Sequence, residues 1–151
     1  MIKVSIEINR PVNVVWDYYT ETANWIKWYG GGLKEVIPGW QKGAKLVWSL
    51  GGSSSIDEIV PQQKLRTSGA WVDKTYMFQA SGNSATIVEI IESDPKGGAL
   101  FNDGGAAHKA QLESSLQKLK TFIEKETAAA KSASNTEENK WWQFWKKEGQ
   151  D

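Results

Sequence analysis

The chain has no cysteine and a single histidine, His108. The first absence removes disulfides, thiol nucleophiles, iron–sulfur clusters and Cys-ligated zinc. The second removes multi-histidine metal sites, and any Ser/His/Asp triad would have to run through His108. No metal and no cofactor are expected. Charge of one sign is lacking too: Lys+Arg and Asp+Glu number 18 each over 151 residues, a formal net charge of zero. Such a balance argues against a pervasive nucleic-acid-binding surface. No run of about 18 apolar residues occurs, so no membrane-spanning helix is expected. The first residues, Met1 to Ile8, alternate polar and apolar and lack the basic start and apolar block of a signal peptide. Cytoplasmic residence is the expectation.

Proline is absent after Pro95, and only Gly149 follows Gly105 among fourteen glycines. Since these residues punctuate turns, the first two thirds reads as strands and turns and the remainder as helix and tail. Ile2, Val4, Ile6 and Ile8 alternate as one face of a half-buried strand, ended by Asn9-Arg10-Pro11. Pro11 fits the first turn of a helix, where its missing N–H costs nothing. Val12, Val15, Trp16 and Tyr19 follow helical spacing. A second short helix carries Trp25 and Trp28, with Asn24 as its expected cap, and Gly30-Gly31-Gly32 stops it.

Six more strands are expected between turn signals: 33–37, 45–50, 54–60, 65–72, 75–80 and 85–92. Ser81-Gly82-Asn83-Ser84 is the hairpin turn before the last. The spacing suggests an antiparallel meander. Residues 103–126 then form a long helix whose stripe Leu112, Leu116, Leu119 and Ile123 should lie across the sheet. The expected organisation is one domain over 1–126, a polar stretch over 127–140 read as a linker or a frayed extension of the helix, and a Trp-rich tail over 141–151.

The order strand, two helices, six strands, long helix is that of the helix-grip fold. Ile6-Glu7-Ile8-Asn9-Arg10-Pro11-Val12-Asn13-Val14-Val15-Trp16-Asp17 resembles the start of the START/Bet v 1-like (SRPBCC) superfamily. Asn24-Trp25-Ile26-Lys27-Trp28-Tyr29 resembles the aromatic second helix of its branch related to the Hsp90 ATPase activator (AHSA1-like). Gly43-Ala44-Lys45-Leu46 and the run Ser55 to Leu65 follow the family's pattern of two strands, a Pro-containing turn and the next strand. The last helix, from His108 to Lys120, is similar to the family's closing helix, with Gln111-Leu112 where that branch often has Gly-Trp. The resemblance covers residues 2 to about 126. It implies an α+β fold, a curved seven-stranded antiparallel sheet wrapped around the C-terminal helix with two short helices between strands 1 and 2. It also implies a cavity, because members bind lipids, sterols, polyketides or other apolar ligands. A few are cyclases or aromatases, and others are co-chaperone domains.

Within that frame Trp48, Trp71, Tyr76 and Phe78 sit on strands and either line a cavity or fill a solid core. Trp28 and Tyr29, beside the triple glycine, mark the expected entrance, and His108 and Leu112 face in from the long helix. His108 has no orienting partner visible in the sequence, so it reads as a polar residue at the helix start rather than a general acid or base. Asp57, Glu58, Glu89 and Glu92 read as solvent-facing charges on the sheet, and Arg66 as a surface arginine. The expected function is binding of a small apolar ligand between the sheet and the C-terminal helix, with no catalytic apparatus in view. The alternatives are a co-chaperone-like interaction module and a cyclase-like enzyme using His108, which a carboxylate bonded to His108 would favour.

The tail is a separate signal. Trp141, Trp142, Phe144 and Trp145 together would exceed the apolar patch that a monomer ordinarily exposes. They are expected to form a short helix that docks on protein, in cis or on a second copy. A membrane surface ranks behind, because acidic neighbours cancel Lys140, Lys146 and Lys147.

Overall fold

The structure is a computed structural model that describes residues 1–29, 32–49, 51–69, 72–93 and 105–150, with side chains to residue 128. Strand β1 (Ile2–Ile8) leads into helices α1 (Val12–Tyr19) and α2 (Thr22–Trp28). Six strands follow: β2 (Leu33–Ile37), β3 (Lys45–Trp48), β4 (Ser53–Val60), β5 (Lys64–Ser68), β6 (Asp73–Ser81) and β7 (Ala85–Ser93). Helix α3 runs from Ala106 to Gln150.

The seven strands form one antiparallel sheet in the order β1-β7-β6-β5-β4-β3-β2. From β2 onward each strand pairs with its successor in the chain, as the short turns dictate. The Ser81-Gly82-Asn83-Ser84 turn places Gly82 at φ 69°, a left-handed conformation that glycine adopts without a Cβ clash. β1 then returns to pair with β7, Ile2 opposite Glu92 and Ile8 opposite Thr86.

Period two decides which face of each strand is covered. Val4 and Ile8 of β1, Leu65 of β5, Tyr76 and Phe78 of β6, and Val88 and Ile90 of β7 are all buried on the concave face. Leu112, Leu116, Leu119 and Ile123 of α3 are buried against them, as the i, i+4, i+7, i+11 spacing requires. Polar ties seat the helix. The Arg10 guanidinium donates to the Glu124 carbonyl at 2.8 Å, the Asn9 amide to the Glu124 carboxylate at 3.0 Å, and the Lys120 ammonium to the Glu7 carbonyl at 2.8 Å. Glu124, held by the Asn9 amide and by Lys120 and Arg10 against the opposing effect of burial, has its pKa lowered.

Strand ends shift by one or two residues from expectation, as in β3 and β6, and three differences are larger in consequence. α2 starts at Thr22, and Asn24 lies inside it, its side-chain amide donating to the Tyr18 carbonyl at 3.2 Å instead of capping. The strand expected over 65–72 is assigned over Lys64–Ser68, and residues 70 and 71 lie outside the described set. α3 begins at Ala106 and its backbone stays helical through 127–140 and on to Gln150, a rise of about 67 Å. Alanine-rich composition with no glycine or proline before Gly149 gives that stretch nothing to stop on. Among the described residues no helix is long and apolar enough to cross a membrane.

Candidate ligand site

Aromatic rings assemble at one end of the concave face because three parts of the fold deliver them. α1 brings Tyr19, α2 and its following residue bring Trp25, Trp28 and Tyr29, and the sheet side brings Trp40, Trp48 and Tyr76. Trp25 is the hub. Its ring centroid lies 5.0 Å from that of Tyr19, 4.7 Å from Trp28, 5.3 Å from Tyr29 and 5.8 Å from Trp40. Its indole N–H donates to the Tyr19 carbonyl at 2.6 Å, which fixes the ring while it stays 1% exposed. Trp48 donates to the Ser54 hydroxyl at 3.1 Å, and Trp40 to the Thr22 hydroxyl at 3.1 Å.

These rings do not close the space between them. A cavity of about 260 Å³ remains, walled by Trp25, Tyr29, Trp48 and Tyr76, with Leu46 and Leu65 beneath. Ser53, Ser54 and Thr67 contribute hydroxyls, and Lys74 contributes the one charge on the wall among the described residues. The volume is near the lower bound of about 300 Å³ for ligand pockets, so it suits one or two rings and not a long chain.

Lys74 comes inward because it shares the face of Tyr76 and Phe78 on β6. Its ammonium sits 5.4 Å from the Tyr29 ring centroid and 5.8 Å from that of Tyr76. It also lies 3.4 Å from Glu92 Oε1, the residue directly opposite it on β7. Glu92 is 1% exposed, and its other oxygen is 2.6 Å from His108 Nε2 at the start of α3. The three side chains thus form a line from the cavity wall, through a buried carboxylate, to the helix. Burial works against the charge on Lys74, but the Tyr76 and Tyr29 oxygens and Glu92 outweigh it and raise its pKa, so it is an ammonium at neutral pH. Burial pushes the Tyr76 phenol up to about 12 and the Tyr19 phenol well above its usual value, so both stay neutral.

The sequence-derived site residues are dispersed differently from expectation. Tyr29, Trp48 and Tyr76 stand together on the cavity wall. Trp28, Phe78 and Leu112 are buried in the core, away from the wall, and His108 is against Glu92. Trp71 lies outside the described residues, as do Gly30 and Gly31 of the expected entrance. The side chains of Trp141, Trp142, Phe144 and Trp145 also lie outside the described set. The cavity itself is not between the sheet and α3: its described walls are strands β3 to β6 and the α2 end, because the aliphatic stripe of α3 fills the other half. Glu92, read as a solvent-facing charge, is buried, and it is the partner that His108 lacked in the sequence. Arg66 is exposed, as read. Trp25, Lys74 and Thr67 were missed. Alternation with Tyr76 and Phe78 points Lys74 inward, though the expected strand began only at Thr75; alternation with Val88 and Ile90 points Glu92 inward, where its charge argued the other way.

No protein-family model matches the chain, and no curated protein sequence matches it. Solved structures do. DynU16, from the dynemicin biosynthetic locus, superposes with a TM-score of 0.65 at 20% identity over 82% of this chain, which spans only 46% of DynU16. CalU16 from Micromonospora echinospora gives 0.64 at 15% identity, covering 80% of this chain and 72% of its own. The Aha1 dimer from Colwellia psychrerythraea gives 0.64 at 14% identity, covering 81% and 94%. At such identities the likeness is one of backbone. With the element order, the single antiparallel sheet and the long closing helix already in hand, it establishes that this chain has an α+β helix-grip fold, the backbone architecture it shares with these structures.

Proposed function

We propose that the chain binds a small, largely aromatic or apolar ligand in the cavity under α2. The observation that carries this reading is the 260 Å³ space walled by four rings. Rigid, buried walls favour binding, since little side-chain freedom is lost when a ligand enters. Titration with naphthalene, followed by tryptophan emission, is expected to give saturable quenching through Trp25 and Trp48. The wall substitution Thr67→Phe, which fills the space, is expected to abolish it while the circular dichroism spectrum is retained. Quenching that never saturates, or that Thr67→Phe leaves unchanged, would count against the cavity as the site.

The bond between His108 and Glu92 is the observation that favours a cyclase-like enzyme as the second reading. It ranks behind, because a general base must reach the reacting atom within about one hydrogen bond and His108 is not on the cavity wall. Lys74 stands between them. His108→Ala is expected to leave ligand affinity within about tenfold, or ~1.4 kcal/mol. A turnover that this substitution abolishes would promote the enzymatic reading.

A further inference from the structure

We propose that the ligand is an acid, a small aromatic carboxylate whose oxygens pair with the Lys74 ammonium while its ring lies against Trp25, Trp48 and Tyr76. This rests on the cavity-binding reading above and specifies its chemistry.

The argument begins with what Lys74 is doing on that wall. An apolar ligand needs no cation beside it. Nor is the pair with Glu92 explained by stability, because a buried ion pair is commonly no more stable than well-packed apolar side chains in its place. Lys74 is a charged group in an aromatic wall, its side chain 12% exposed and facing the space. Two ring faces flank the cation there, and the Tyr29 hydroxyl also acts on it.

Glu92 compensates Lys74 only in part. A lysine ammonium has three donors, and Glu92 engages one of them at a loose 3.4 Å. The tighter contact of the carboxylate, 2.6 Å, goes to His108 on its far side. Glu92 thus turns one oxygen to His108 and leaves the other for Lys74. The groups facing Lys74 from the elements packed on it are Glu92 on β7, Tyr76 on β6 itself and Tyr29 after α2, with Thr67 its neighbour on β5. Glu92 is the one carboxylate among them and is not on the cavity wall, so the charged group that faces the space is the Lys74 ammonium. A second carboxylate, brought by the ligand, can take an N–H that Glu92 does not use. In a space of low polarity such a charge-assisted bond discriminates strongly between an acid and its neutral analogue.

The experiment compares two probes of matched size, 2-naphthoate and 2-naphthalenemethanol, by calorimetric titration of the full chain near pH 7, where the carboxylate is ionised. The wild-type protein is expected to bind naphthoate at least about tenfold more tightly than the alcohol. Lys74→Met is expected to bring the two affinities within about twofold by weakening the acid alone, and Lys74→Arg to retain the preference. Equal wild-type affinities overturn the proposal without any variant and leave cavity binding standing. A preference that survives Lys74→Met also overturns it, by placing the anion elsewhere. Absence of saturable binding by either probe overturns the cavity reading and this proposal together.

Discussion

The two halves of the concave face are covered by different chemistry. Under α3, Leu112, Leu116, Leu119 and Ile123 meet Val4, Ile8, Val88 and Ile90, aliphatic against aliphatic. Under α2 the covering side chains are rings, meeting other rings at angles from 27° to 70° around Trp25. Branched aliphatic chains have rotamers enough to interdigitate and exclude voids. Rings are flat, rigid plates, and once the indole N–H groups are tied to Ser54, Thr22 and the Tyr19 carbonyl those rings cannot turn to close a gap. The sheet is continuous beneath both halves, so the filled half and the hollow half result from side-chain type alone. The proposed binding belongs to the second.

That division can be broken most severely where the halves meet. Glu92 sits on the strand under α3 but pairs with the cavity's Lys74. Glu92→Ala leaves that ammonium buried without its partner, and is expected to cost about 3–5 kcal/mol in denaturant unfolding. A loss below about 1 kcal/mol would mean that water already solvates Lys74. Leu116→Ala, wholly inside the aliphatic half, is expected to cost about 2–5 kcal/mol and to leave probe affinity unchanged. A large affinity change there would show that the two halves are coupled. His108→Ala removes a donor from a buried carboxylate and is expected to cost about 1.5–3 kcal/mol.

A smaller effect belongs to the long helix beyond the sheet. Trp141 lies about 27 Å of helical rise past Ile123. A continuous α3 carries the backbone of that segment away from the sheet, and we propose a second copy as its docking partner. Truncation after Thr127 is expected to change unfolding free energy by about 0.5 kcal/mol or less while shifting sedimentation toward the monomer. Identical sedimentation of both chains would remove self-association as the role of the tail. The smallest effect is electrostatic. Glu124 has a lowered pKa in the folded chain, so the unfolded chain binds its proton first as pH falls. Its contribution is present above the ordinary carboxylate range and is lost on acidification. Glu124→Gln is expected to flatten the acid limb of stability by less than about 1 kcal/mol, since the group is partly exposed and screened.

How far these features could be read in advance depends on how local they are. Alternation in 2–8 and 85–92 is a property of neighbouring residues, and both strands were legible from it. So was the α3 stripe, which repeats every turn. The start of α2 was not, because Asn24 has the chemistry of a cap and its bond to the Tyr18 carbonyl depends on the turn of α1 against α2. Glu92 was legible as a strand position and not as burial, and Lys74 fell just outside the strand expected over 75–80; only their register opposite one another brings the pair together. The resemblance supplied the existence of a cavity. Its location depends on the shapes of rings from several elements, and no local pattern encodes it.

The pairing of β1 with β7 has a consequence in time. Ile2 finds its place opposite Glu92, and the Arg10 guanidinium finds the carbonyl of Glu124. During synthesis the strand made first is therefore completed last. At roughly 5–20 residues per second, on the order of ten seconds separates the emergence of Ile2, Val4, Ile6 and Ile8 from that of the strand that receives them. Through that interval an apolar, alternating segment has an unpaired edge and no native neighbour, the condition in which a nascent chain is most exposed to wrong pairing with other chains.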